Sequence, residues 1–182
     1  ASIFNTAFSS VGPTNIMTGG DAQFLCDTDH TSTAVATTQS NDGSLALSAS
    51  AVETTRRLMT AFTDDKDNKI AVNMDMLLIP RNLEETAWVI INSTGKVDTA
   101  NNNRNFHQGK YKLLVWDYLT DSNNWSGIDS TMMKMFLHWF NRIPLEFAQE
   151  TNFDTLVAKY RAYVRYAYGW SDWRWIFGNE VS

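Results

Sequence analysis

The residues with the most chemical potential lie in one acidic run, Cys26-Asp27-Thr28-Asp29-His30, which brings a thiol, carboxylates and an imidazole close together. Such a run can serve as a metal or thiol site with His30 as ligand or base. No second cluster completes a coordination shell, so it also reads as a polar turn around one half-buried cysteine. Asp64-Asp65-Lys66-Asp67-Asn68-Lys69 offers the alternating oxygens that calcium favours. Counting from Asp65, however, Ile70 stands where an EF-hand loop needs glycine and no glutamate closes the loop, so a solvated turn is expected. Gly19-Gly20-Asp21 lacks the Lys-Ser/Thr of a phosphate loop and is read as a bend. There is no Gly-x-Ser-x-Gly elbow, and Cys26 has none of the flanking patterns of a nucleophile. His30, His107 and His138 are far apart, and His138 interrupts an apolar run as an interior or interface histidine would. No catalytic residue, cofactor or metal ligand is assigned, and the chain is expected not to be an enzyme.

Two further patterns favour binding. Aromatic residues make up 13% of the chain, and Trp116, Trp125, Trp170, Trp173 and Trp175 beside a pair of carboxylates would suit a carbohydrate-binding or carbohydrate-active cleft. Aromatics that alternate on strands also fill cores and interfaces. From Leu156 to Tyr168 the alternation is clean. Ala158, Tyr160, Ala162, Val164, Tyr166 and Tyr168 share one face, expected to be buried, and Lys159, Arg161, Tyr163, Arg165 and Ala167 share the other. The cationic row Lys159, Arg161, Arg165 is either solvated or pairs with the acids of a neighbouring subunit.

Elements that would position these residues follow from periodicity and punctuation. Residues up to Ser44 are Ser/Thr/Asn/Asp/Gly-rich, with Phe4, Phe8, Ile16, Met17, Phe24 and Leu25 as anchors, a long irregular connection. Leu45 to Phe62 predicts a helix, with a capping box at Ser50 and Glu53, a packing face of Val52, Thr55, Met59 and Phe62, and Arg56 and Arg57 in water. Val72, Met74, Met76 and Leu78 predict a strand ended by Pro80. A second helix is predicted from a cap at Asn82 through Leu83, Ala87, Ile90 and Ile91 to Gly95. Lys96 to Gln108 reads as a polar surface excursion, Tyr111 to Tyr118 as a strand, and Thr120 to Asn124 as its closing turn. Strand is predicted after Ile128 through Met133, Met135, Leu137 and Trp139, with a break at Pro144, and again at Trp173, Trp175 and Phe177 before Gly178-Asn179. No fixed-period repeat occurs, and the fold class is α+β.

Bulk properties narrow the function. With 182 residues, 43% hydrophobic and 19% charged, the chain can bury a core as one large domain or two small ones. One cysteine precludes an internal disulfide framework and a cysteine-built zinc site. A net charge of −5 without a Lys/Arg block argues against a dedicated DNA reader. No apolar run is long enough to span a membrane, and Ala1 to Ser10 has no export signal. The triplets Asn92-Ser93-Thr94 and Asn124-Trp125-Ser126 carry no weight alone. Ala1 in place of an initiator methionine implies sequence upstream.

In order along the chain, several segments resemble the major head subunit of Mu-like prophages, a branch of the tailed-bacteriophage major capsid proteins with the Hong Kong 97-type fold. They are Ala7-Phe8, Gly19-Gly20-Asp21, Phe24-Leu25, Asp29-His30, Leu47-Ser48 with Met59, Leu77-Leu78-Ile79-Pro80 into Leu83-Glu84-Glu85-Thr86-Ala87, Lys112-Leu113-Leu114-Val115 to Tyr118-Leu119-Thr120-Asp121, and Tyr163-Val164-Arg165-Tyr166 to Asp172-Trp173-Arg174. The resemblance implies residues 1–46 as a P-domain remnant and connection and 47–145 as an A-domain near the capsomer axes. Residues 146–170 become a long P-domain strand and 171–182 the return to the A-domain. It further implies that the N-terminal arm, the E-loop and most of the spine helix lie upstream of Ala1. The implied function is structural. Pentamers and hexamers of the chain would build an icosahedral shell around double-stranded DNA, held only non-specifically, in a virion assembled in the bacterial host cytoplasm. Scaffolding, portal or decoration proteins are possible partners; no membrane is. Candidate intersubunit contacts are Lys159, Arg161 and Arg165, then Asn101, Asn102 and Asn103 in the loop placed near a capsomer axis. Trp170, Trp173 and Trp175 are expected to pack between domains or between subunits. A carbohydrate module remains the alternative, and a tail or decoration protein with a similar α+β core a third reading.

Overall fold

A computed structural model describes residues 2–8, 21–31, 38–96, 103–151 and 153–182. Chain order gives a short helix α1 (Ser2–Asn5), the paired strands β1 (His30–Thr31) and β2 (Thr38–Gln39), and β3 (Asp42–Gly43). Next come α2 (Ala49–Met59), β4 (Met76–Ile79), a 3-10 turn (Arg81–Leu83), α3 (Glu84–Asn92) and β5 (Lys112–Val115). The remaining elements are β6 (Trp125–Ile128), α4 (Ser130–Phe136), β7 (Leu137–Thr151), β8 (Ala158–Trp170) and β9 (Ile176–Asn179).

A mixed five-stranded sheet, ordered β3-β9-β6-β4-β5, is the centre of the main body. β4 and β5 run parallel, joined through α3, whereas β6 runs antiparallel to both β4 and β9. Leu77, Leu78, Ile79, Trp125, Ile128, Trp175 and Ile176 are buried here, with Val52 and Met59 of α2 and Ala87, Ile90 and Ile91 of α3. Gly127 lets the layers close, because a Cβ there would meet Met74 Sδ at 2.7 Å and Thr55 Cγ2 at 3.2 Å. Of the irregular N-terminal segment, Phe8, Leu25 and Cys26 are in this core and β3 extends the sheet.

Several elements differ from their sequence patterns for identifiable reasons. The cap of α2 is Ser48 rather than Ser50, since Ser48 Oγ accepts from Ala51 N at 3.1 Å, and the helix stops at Met59. Asn82 lies inside the 3-10 turn that follows extended Pro80, and α3 has no side-chain cap. Val72 and Met74 are buried outside the ladder; the neighbouring Asn73 and Asp75 amides instead donate to Asp129 Oδ2 and Ile128 O. Asn105 and His107, expected at the surface, are buried, with Asn105 Nδ2 donating to Ile90 O at 2.7 Å and to Ser93 O at 3.0 Å.

The stretch through Met133 and Met135 is helix rather than strand. Asp129 Oδ1 accepts from Thr131 N and Met132 N, a cap that outweighs the alternation begun at Met133 and Met135. Trp125–Ile128 is a strand that alternation does not reveal, because all four residues are buried and both its faces are covered. β9 includes Gly178 and Asn179 instead of ending before them. Pro144 does not break β7, which continues through it with register shifts between Asn141 and Glu146.

Candidate functional site

The feature with most binding capacity is the hairpin β7–β8, a separate two-stranded sheet. At about 3.3 Å per residue its strands are roughly 45 Å long. Leu137 faces Trp170 at the base and Thr151 faces Ala158 at the far end. One face carries Trp139, Phe147, Tyr160, Val164, Tyr166 and Tyr168. Trp139 stacks on Tyr166 with centroids 4.4 Å apart and planes 17° from parallel, and Tyr168 extends the row at 6.0 Å. The β8 side of this face was expected to be buried; instead Tyr160 is 79% and Tyr166 48% exposed, and across from them on β7 Trp139 is 63% and Phe147 78% exposed. Large apolar side chains on both strands of a free ribbon form a contiguous apolar surface, which marks an interaction site.

The opposite face is charged, and over the outer half of the hairpin, beyond Arg142 of β7, its charges are divided by strand. Lys159, Arg161 and Arg165 line β8, while Glu146 and Glu150 stand on the outer half of β7. Glu150 lies directly opposite Lys159, yet no ion pair joins Lys159, Arg161 or Arg165 to a described residue. The two glutamates escape a reading of the sequence that ends the strand at Pro144; continuing the alternation through the proline would have found them.

At the hairpin base the aromatic face meets α1. There Ile3, Phe4, Trp116, Leu137, Trp139, Tyr166 and Tyr168, with Ser2 and His138, line an open groove of about 370 Å³. Its lining holds no carboxylate, so the paired acids that glycoside hydrolysis needs are absent from this aromatic cleft.

Other candidate residues have separate positions. Trp170 is half-buried where β8 meets the body. Trp173 and Trp175 are 7% and 0% exposed and pack in the core of the subunit. Asn103 is exposed, its carbonyl accepting from Lys96 N at 2.6 Å, while Asn101 and Asn102 lie outside the described residues.

The residues with chemical potential are structural here. Cys26 is wholly buried, and burial, followed by the charge of Asp42, pushes its thiol well above the ordinary range, so it is not poised as a thiolate. Asp27 Oδ1 accepts from Asp29 N to close the expected polar turn. His30 Nδ1 lies 2.6 Å from Asp21 Oδ2, and Nε2 lies 3.0 Å from Asn41 Oδ1. Asn41 Nδ2 donates to Leu25 O and Ile176 O, tying the N-terminal segment to β9. Asp64 Oδ1 accepts from Lys66 N and Asn68 N, which makes that segment an Asx-type turn. Asn68 is the main reason the Asp64 carboxyl titrates below its usual value. Among the described residues no group of three or more His, Cys, Asp or Glu could hold a metal, and no helix is long and apolar enough to cross a membrane.

A family model described as phage capsid protein matches residues 1–179. No curated protein matches the chain.

Proposed function

Because the chain belongs to the phage capsid protein family and is a structural component of the virion, we propose that it is a major head subunit of the Hong Kong 97 type, similar to those of Mu-like prophages. In this reading it is not an enzyme. Copies assemble through pentamers and hexamers into an icosahedral shell around double-stranded DNA, in the cytoplasm of the bacterial host. Portal, scaffolding or decoration proteins join the same surface network.

The observation that carries this reading is the hairpin Leu137–Trp170, whose aromatic and charged faces are both exposed over most of its length. An isolated two-stranded ribbon is marginal in water, and one this long with this much apolar surface acquires its stability from contact. Shell subunits meet that need with neighbouring copies. We assign the hairpin as a whole to the peripheral P-domain, since a boundary at residue 145 would cut the continuous strand β7. The α2 to α4 body and the strand β9 form the A-domain. We group the first 46 residues with that body, because Phe8, Leu25, Cys26 and β3 pack into it. Lys159, Arg161 and Arg165 are the proposed intersubunit cations, and Asn101, Asn102 and Asn103 the proposed loop contacts near a capsomer axis. An acidic subunit also suits a container from which DNA must later leave.

Mass photometry and negative-stain imaging of the purified chain, alone and with proteins encoded beside it, test the reading. Closed rings of five or six copies, or shells, are the expected result. A monomer under all these conditions refutes it, and binding to a glycan array would then turn attention to the carbohydrate alternative.

A further inference from the structure

The hairpin has two free edges. Each of its strands has one neighbour among the described residues, so the outward edges of β7 and β8 present unpaired backbone groups. On the charged face the outer half of β7 is acidic through Glu146 and Glu150, and the outer half of β8 is basic through Lys159 and Arg161. We propose that neighbouring subunits join their hairpins edge to edge, with residues 146–151 of one copy pairing antiparallel with residues 158–163 of the next. This rests on the capsid-subunit reading above and specifies which strands of two copies meet.

Geometry and charge select this arrangement over its alternatives. When two hairpins point the same way, β8 of one lies beside β7 of the other in antiparallel direction, as inside each hairpin. The internal register, Glu150 opposite Lys159 and Ala148 opposite Arg161, can then repeat between copies. Glutamates face cations across the new seam, while on the other face Phe147 and Tyr160 join neighbouring aromatic rows. Pairing β7 with a second β7 would oppose glutamates, and pairing β8 with β8 would oppose cations, so like-on-like contacts are disfavoured. The permitted contact is heterologous, the kind that closes into rings. Pro144 has no N–H to donate, and the register shifts lie between Asn141 and Glu146, which confines the seam to the outer half of the hairpin.

Complementary charge reversal tests the pairing. One variant carries Glu146→Lys and Glu150→Lys, so both of its edges are basic; the other carries Lys159→Glu and Arg161→Glu, so both are acidic. All four side chains are exposed, and circular dichroism verifies that each variant folds. Each variant alone is expected to associate at least about tenfold more weakly than the parent chain. An equimolar mixture is expected to recover dimers and six-membered rings, in which the two variants can alternate, to within about threefold, whereas rings of five, which cannot alternate, stay depleted. Mass photometry reads all three samples. Any result in which mixing makes no difference, whether both variants assemble alone or neither assembles with the other, overturns the edge pairing while the capsid reading stands. A parent chain that never assembles overturns the capsid reading itself, before any variant is compared.

Discussion

Trp173 lies flat against His30, the ring centroids 4.1 Å apart and the planes 11° from parallel. The His30 ring is held in plane by Asp21 and Asn41, while Phe62 meets Trp173 edge-on at 5.0 Å and the Arg174 guanidinium lies 4.8 Å from its ring centroid. The stack joins the N-terminal segment, α2's C-terminal turn and the strand-9 approach, three parts of the chain distant in sequence. Trp173→Ala removes this shared contact and leaves a cavity, so a loss of about 3–5 kcal/mol is expected. Urea denaturation of the unassembled chain measures it. A loss below about 1 kcal/mol would show that these parts are held together by other contacts.

Asp42 couples stability to pH in the reverse of the usual carboxylate direction. Burial, followed by the nearby Glu180 charge, raises its carboxyl from 3.8 to about 6, and its Oδ1 has no hydrogen-bond partner. The folded state therefore holds this proton more tightly than the unfolded chain. The resulting stability is fully present below pH 3.8 and is lost as pH rises through about 6. Asp42→Asn is expected to stabilise the chain at pH 8 by about 1–2 kcal/mol, a figure discounted for partial solvent screening. Below pH 4 the gain should disappear. Thermal melts across this range supply the test, and a pH-independent difference would contradict the assignment.

Gly178 marks where the N-terminal segment crosses the sheet. A Cβ there would meet Phe8 Cε1 at 2.5 Å and Cys26 Sγ at 2.8 Å, both inside the core. Gly178→Ala is expected to cost about 1–3 kcal/mol through overpacking. Gly109 provides a control of another kind: it has open space, but its φ is +67°, so Gly109→Ala should cost only about 1 kcal/mol through backbone strain. Differential scanning calorimetry of both variants measures the two losses, and a Gly178→Ala loss below about 1 kcal/mol would mean that Phe8 and Cys26 move aside.

Much of this architecture is legible in residue order because local patterns and burial agree. α2 and α3 are found from their apolar spacing, and β8 from thirteen residues of alternation. The misreadings occur where another interaction outweighs local pattern. A β6 buried on both faces has no alternation to detect, and the Asp129 cap converts Met133 and Met135 into helix. For the candidate interface, the basic row is visible in sequence but its acidic counterpart is not. Glu146 and Glu150 become a complementary row only once β7 is known to continue through Pro144. Whether a regular aromatic row is covered by its own subunit or by another is a property of tertiary arrangement, which alternation alone does not encode.

The hairpin should separate stability from assembly. Trp139 is 63% exposed, and its close aromatic neighbours, Tyr166 and Tyr168, belong to the hairpin itself. Trp139→Ser thus removes only the buried third or so of the side chain from the isolated subunit, and a change in unfolding free energy of about 1–2 kcal/mol is expected. If the aromatic face at the hairpin base, inward of the edge seam, is also covered by a neighbour, truncation of a buried tryptophan there commonly costs 2 kcal/mol or more, about thirtyfold in association. Parallel measurements of urea unfolding and of assembly threshold by mass photometry decide between these roles. A variant that loses folding and assembly together would make Trp139 part of the subunit's own scaffold. Retained folding with a raised assembly threshold would place its contribution at the contact between copies.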